Sequence, residues 1–269
     1  MSPDAELAIL ALIAEDMYTA AGPAILEPAP DGRLAALGWT MQGYLNGLDA
    51  ILRPAMTDAL SPQRVFYGFL AQNADGTYAV VVRGTEGVIE WIEDAEFRLR
   101  PHPAGAGQVE DGFWGIYSSF YFRPPGGVDQ PVVSALEAAV GTAHCVVVGH
   151  SLGAALAAYL AHDLKPSAAR LYAPPRPGDK VFSNALAMRV PDCKAYAYAL
   201  DIVPKVPFFG FYPPPGLIDL GAGNIKAMIR KSLFCGHHAA CYAAMLDYDS
   251  IDSLGAADAD FRACIIGEI

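Results

Sequence analysis

The stretch Gly149-His150-Ser151-Leu152-Gly153 constrains this chain more than any other. It follows the β-branched run Cys145 to Val148 and precedes the alanine-rich segment Ala154 to Leu164. A strand, a sharp turn and a helix in that order lift the serine to the C-terminal edge of a sheet. Glycines two positions before and two after leave room for the strained backbone. The helix start also offers free N–H groups and the positive end of a dipole to a developing oxyanion. The competing reading, a plain glycine-rich helix start, explains the glycines but not a serine at their centre.

The surrounding pattern supports a parallel sheet. From Val132 onward, helical segments (Val132 to Val140, Leu152 to Leu164, Val181 to Val190) alternate with strand-like ones (Cys145 to Val148, Ala169 to Tyr172, Lys194 to Leu200). Alternation at this pitch implies right-handed crossovers. Upstream, Leu37 to Leu45, Val65 to Ala71 and Tyr78 to Val82 read as an antiparallel meander, the last two joined through Asn73-Ala74-Asp75-Gly76, a hairpin signal. Leu7, Leu10, Ala11 and Ala14 sit at helical spacing after Ser2-Pro3, which predicts a covering helix over residues 3–20. A short aromatic helix is expected over Gly112 to Phe122. No internal repeat or low-complexity linker interrupts the pattern, so residues 1–269 read as one domain.

Composition narrows the function. The 269 residues are 53% apolar and 17% charged, which excludes a disordered chain or a coiled coil. Eighteen Lys and Arg against 29 Asp and Glu leave a net charge of -11, and counterion release on nucleic acid or an anionic membrane needs basic clusters this chain lacks. The five cysteines are odd in number and sparse, unlike the framework of a small secreted domain. The early apolar run Leu7 to Ala14 has acidic flanks and no cleavage signal, and no stretch reaches the length of a membrane span. A cytoplasmic protein is therefore the default expectation, with export by a non-classical route left open.

Several further pieces fall in one order: Val82-Arg83-Gly84-Thr85, Trp91-Ile92-Glu93-Asp94, Asp111-Gly112-Phe113, Gly149 to Gly153, Tyr172 to Gly178 and Asp201-Ile202-Val203-Pro204. Together they resemble the class 3, or fungal-lipase-like, branch of the α/β-hydrolases, from about Trp39 to Tyr242. The resemblance implies an α/β-hydrolase fold: a mostly parallel central sheet with helices on both faces, an N-terminal helix, an antiparallel meander and a lid. One departure is Glu110, where the family usually has a histidine.

The resemblance also implies roles. A serine hydroxyl needs a base, and the base needs a carboxylate to fix its tautomer. Ser151 is the expected nucleophile. Asp201, ahead of the turn Ile202-Val203-Pro204, lies where the family keeps its acid; Asp179, in a helix-cap context, and Asp219 compete. Among six histidines, His237 and His238 follow the acid in chain order. His238 is favoured as base because the family histidine heads a helix with an aromatic residue one turn on, and Tyr242 is at i+4; His237 is the alternative. The oxyanion hole falls to the Leu152 amide and to Thr85.

Residues 86–97 fit the family's lid, with Val88, Ile89, Trp91 and Ile92 as candidate substrate contacts, although a plain surface helix has the same spacing. Phe208, Phe209 and Phe211 could line an acyl pocket or simply pack a loop. Cys235, His237, His238 and Cys241 could also be read as a metal-ligand set, but zinc sites usually gather two separated ligand pairs. The resulting expectation is a Ser-His-Asp lipase or esterase that needs no metal or organic cofactor. It would act on acylglycerols or other fatty-acyl esters, with a transient neutral lipid interface as partner and no nucleic acid. A non-lipid esterase and a non-catalytic binding protein are the rivals.

Overall fold

The computed structural model describes residues 1–48, 63–85, 96–221, 223–255 and 259–269. Its frame is a nine-stranded sheet in the order β11-β10-β9-β8-β3-β2-β1-β6-β7. The strands are β1 (Trp39–Leu48), β2 (Arg64–Asn73), β3 (Tyr78–Val82), β6 (Tyr121–Arg123), β7 (Gln130–Pro131), β8 (Cys145–His150), β9 (Ala168–Tyr172), β10 (Cys193–Tyr198) and β11 (Leu217–Leu220). Strands β3, β8, β9, β10 and β11 run parallel, and the meander β1-β2-β3 and the edge pair β6-β7 are antiparallel. Two small antiparallel pairs lie apart: β4 (Leu99–Pro101) with β5 (Gln108–Glu110), and β12 (Ala227–Ile229) with β13 (Ile265–Glu268).

The helices are α1 (Pro3–Ala21), α2 (Gly32–Ala36), α3 (Asp111–Tyr117), α4 (Val132–Val140), α5 (Leu152–Leu164), α6 (Lys180–Arg189), α7 (Leu233–His237), α8 (Ala239–Leu246) and α9 (Ala259–Arg262). The parallel strands are apolar throughout because both faces are covered. Alternate residues serve opposite layers. Val81, Val148, Tyr172 and Tyr196 pack with α1 and α8 on one face. Val80, Val147, Leu171 and Ala195 pack with α3, α5 and α6 on the other.

Helix α1 is more than a cover. Ser2 caps it through the Ala5 amide, and every residue from Leu7 to Ala14 is buried. It lies between the sheet and α8, so it needs apolar residues on more than one side. The expected Gly112 to Phe122 helix stops at Tyr117. Ser118 and Ser119 turn back on Trp114 and Ile116, and Tyr121 to Arg123 pairs with Tyr44 to Asn46 as β6 instead. Strand β8 runs two residues further than expected, and β10 ends two residues earlier, at Tyr198. No described helix is long and apolar enough to cross a membrane.

Candidate active site

The turn after β8 is the strained one its glycines imply. Ser151 has φ 56° and ψ −131°, a conformation a non-glycine residue holds only when its surroundings enforce it. A Cβ on Gly149 would lie 2.4 Å from the Gly153 carbonyl oxygen, and one on Gly153 would lie 2.2 Å from that of Arg83. Both glycines are therefore set by backbone closeness. The Ser151 amide donates to the Tyr172 carbonyl (2.9 Å). Leu152 opens α5, where first-turn amides have no intrahelical acceptor.

Strand β10 delivers the acid. Beyond Tyr198 the chain turns, with the Asp201 amide donating to the Tyr198 carbonyl (3.0 Å). The buried Asp201 carboxylate accepts from the Val203 amide at Oδ1 (2.9 Å), and at Oδ2 from the Tyr242 hydroxyl (2.8 Å) and His237 Nδ1 (2.9 Å). The carboxylate fixes the proton on His237 Nδ1. The lone pair of Nε2 then faces Ser151 Oγ, which donates to it across 2.9 Å. Asp179 instead caps α6 through the Phe182 amide (2.8 Å), and Asp219 is exposed on β11.

The imidazole beside the serine thus belongs to His237, which corrects the expectation of His238. His237 closes α7, whose start is capped by Ser232 through the Cys235 amide (3.0 Å). His238 has extended backbone (φ −70°, ψ 139°) as the cap of α8, so the two adjacent side chains diverge. His238 Nδ1 accepts from the Ala240 amide (3.2 Å), and its ring stacks on Phe261. Burial, with the neighbouring His150 and His237, pushes its pKa down to about 3 despite the attraction of Glu15. Tyr242, read in the sequence as a marker of the base, touches the acid instead.

The segment Arg83 to Thr85 lies against the elbow, since a Cβ on Gly84 would be 3.2 Å from Ser151 Cβ. Arg83 holds it there: its Nε donates to the Phe66 carbonyl (2.7 Å), its Nη1 donates to the Gly84 carbonyl (2.7 Å), and its guanidinium covers the Tyr18 ring at 3.5 Å. Thr85 is partly buried one residue further on. Of the lid candidates, Val88, Ile89, Trp91 and Ile92 lie outside the described residues. The aromatic loop divides: Phe211 is buried against Phe97, whereas Phe208 and Phe209 are exposed, as are Leu200, Ile202, Leu233 and Phe234 beside the acid and base. Glu110, in the place of the family's histidine, caps α3 through the Phe113 amide (2.7 Å).

The metal-ligand reading of Cys235, His237, His238 and Cys241 is not realised. Cys235 is disulfide-bonded to Cys264, and His237 faces Ser151; Cys145, Cys193 and Cys241 are buried free thiols. Elsewhere, ligand atoms of His102, His162 and Asp163 lie within 4.8 Å of one another. His102 Nδ1 accepts from the Ala104 amide (3.1 Å), which leaves its proton on Nε2. Asp163 takes His162 Nδ1 (2.9 Å) and the Tyr117 hydroxyl (2.6 Å). Those tautomers leave one bare nitrogen and the Asp163 carboxylate, fewer donor groups than a cation site gathers, and the cluster braces α3 against α5.

Sequence reasoning missed Glu15. From α1 its Oε1 accepts from the Gly84 amide (3.0 Å) and meets His150 Nδ1 (2.7 Å), while His150 Nε2 meets the His237 carbonyl (2.7 Å). The only signal was an acid closing an apolar helical run.

A parallel sheet that presents a serine on a strained turn after an interior strand, with an imidazole and a carboxylate in line, has the arrangement of an α/β-hydrolase fold with a Ser-His-Asp relay. The family model described as Lipase (class 3) matches residues 79–211. Over that stretch the chain is similar to the class 3 lipase family. The secreted mono- and diacylglycerol lipases A of Penicillium cyclopium and Penicillium camembertii are each 32% identical to it over 152 residues, covering 52% of this chain and 46% of theirs. The chain thus spans about half the length of these curated relatives. Among solved structures, a mutant form of the Penicillium cyclopium lipase shares the fold at TM-score 0.56, with 22% identity over 82% of this chain and 78% of that one. The native Rhizomucor miehei lipase propeptide complex does so at TM-score 0.53, with 22% identity over 77% and 64%. The family match includes Ser151 and Asp201 but ends before His237, so the base rests on geometry alone.

These findings also correct the cytoplasmic expectation. Both curated relatives are secreted, and a Cys235–Cys264 disulfide suits an oxidising compartment.

Proposed function

We propose that this protein is an extracellular serine lipase, acting as one α/β-hydrolase unit on acylglycerol or related fatty-acyl esters. The relay Ser151 Oγ to His237 Nε2 to Asp201, with both contacts at 2.9 Å, carries the reading. Ser151 Oγ attacks the acyl carbon as its proton passes to His237, and Asp201 stabilises the imidazolium. The oxyanion is held by the Leu152 amide and Thr85. Collapse breaks the ester bond, and His237 gives its proton to the departing alcohol. Water, deprotonated by the same histidine, then attacks the acyl-enzyme and releases the acid.

The likeness to two secreted mono- and diacylglycerol lipases supports acylglycerols as the substrate class. The exposed apolar residues Leu200 and Ile202 beside Asp201, Phe208 and Phe209 further along that loop, and Leu233 and Phe234 ahead of His237 support a neutral lipid surface as the partner. The net charge of -11 disfavours anionic surfaces. An organophosphonate should label the wild type and not Ser151→Ala, and turnover of nitrophenyl esters should rise from acetyl to longer acyl chains. Failure to label the wild type, or a preference for acetyl esters, would overturn the reading.

A further inference from the structure

The backbone of His237 is held by a chain of contacts that runs from the half-buried Glu15 through the buried His150 to the His237 carbonyl. His237's carbonyl oxygen only accepts hydrogen bonds, so His150 Nε2, at 2.7 Å, carries a proton. His150 Nδ1, at 2.7 Å, faces a carboxylate oxygen that also accepts the Gly84 amide. With both ring nitrogens facing acceptors, the ring is an imidazolium. Residues 69 and 135 positions apart in the chain from Glu15 are drawn onto one carboxylate oxygen.

Resting on the serine-hydrolase reading above, we propose that Glu15 is a positioning residue. Its carboxylate and the His150 imidazolium form a partly buried ion pair that sets the oxyanion loop at Gly84, the elbow at Ser151 and the backbone of the base together. Three parts of the site, from three elements, are thereby tied to helix α1. Burial would raise the Glu15 carboxyl and lower the His150 ring, but mutual attraction and the hydrogen bond between them outweigh it, so Glu15 is held below and His150 above its ordinary range. Other groups facing His150 are the His237 ring (centroids 4.9 Å apart), Tyr242 on α8 (6.2 Å) and Asp201, with His238 acting at longer range.

The pair has an electrostatic consequence besides the mechanical one. The Asp201 carboxylate is the charge nearest the imidazole of His237, and the His150 cation, with ring centroids 4.9 Å apart, opposes the imidazolium that forms when the serine gives up its proton. Glu15→Gln keeps the shape, and its amide oxygen can still accept from Gly84 and from His150, but it brings no negative charge to hold the imidazolium. His150 then becomes neutral.

The test combines nitrogen NMR of labelled histidines with kinetics. In the wild type at pH 7, His150 should show protons on both ring nitrogens. In Glu15→Gln one should be lost, kcat should fall about 10²-fold as expected for sub-ångström misplacement of the reacting groups, and KM should hold within about twofold. The acid limb of kcat/KM should also move to higher pH, whereas a purely structural glutamate would lower activity equally at every pH. A neutral His150 in the wild type overturns the proposal without needing any variant. Unchanged kcat and pH limb in Glu15→Gln, with the wild type still labelled by an organophosphonate, overturn the clamp alone. A wild type that resists labelling overturns the hydrolase reading and the clamp with it.

Discussion

The proposed nucleophile and acid, Ser151 and Asp201, follow strands β8 and β10 of one parallel sheet, whereas the proposed base, His237, sits at a joint between two short helices. The β3-β8-β9-β10 ladder fixes Ser151 and Asp201 through continuous backbone hydrogen bonds. His237 has no such ladder. Its place depends on the Ser232 cap, the Cys235–Cys264 bond two residues earlier and the grip of His150 on its carbonyl. Groups carried by sheet edges are positioned by secondary structure, and groups at helix joints by tertiary contacts.

The largest effect should come from separating the two histidines. His237→Ala should lower kcat by about 10⁴-fold or more, as loss of a triad base does. His238→Asn, which keeps a capping side chain, should leave kcat within a few-fold; comparable losses in both would erase the distinction drawn between them. Next in size is the oxyanion loop. Thr85→Ala should lower turnover about 10- to 10³-fold with the fold intact, and unchanged turnover would remove Thr85 from the site.

Smaller still is the support behind the acid. Tyr242→Phe removes the hydroxyl that donates to Asp201 Oδ2 and accepts from the Tyr198 amide. We expect roughly tenfold lower kcat and about 1–3 kcal/mol lower stability, the usual effect of stranding a buried donor. Unfolding curves that match the wild type would show that Tyr198 finds another acceptor.

The smallest effect concerns pH and stability. His238 has a folded pKa near 3, below the value of about 6.5 for a free histidine. The unfolded chain therefore takes up a proton between those values that the native chain does not, and stability falls as pH drops through that window. His238→Asn should flatten this part of the stability curve. An identical slope in the variant would place the titrating group elsewhere.

The same contrast decides what the sequence made legible. Ser151 could be read because strand, elbow and helix are contiguous, and Asp201 because it opens the turn beyond a recognisable strand. The choice between His237 and His238 could not be made by spacing. It depends on which residue ends one helix and which begins the next, and the aromatic residue at i+4 from His238 proved to serve the acid. Glu15 was further out of reach, because its partners lie 69 and 135 positions away and only the packing of α1 beneath the elbow brings them together. Phe208 and Phe211, three residues apart, differ in burial because one packs on Phe97 and the other does not.

The most direct test is the structure of the wild-type protein after reaction with an organophosphonate. Phosphorus is expected on Ser151 Oγ, with His237 Nε2 within hydrogen-bond distance of the ester oxygens and the phosphoryl oxygen facing the Leu152 amide and Thr85. A phosphorylated Ser151 with the His238 ring beside it and His237 turned away would contradict that arrangement.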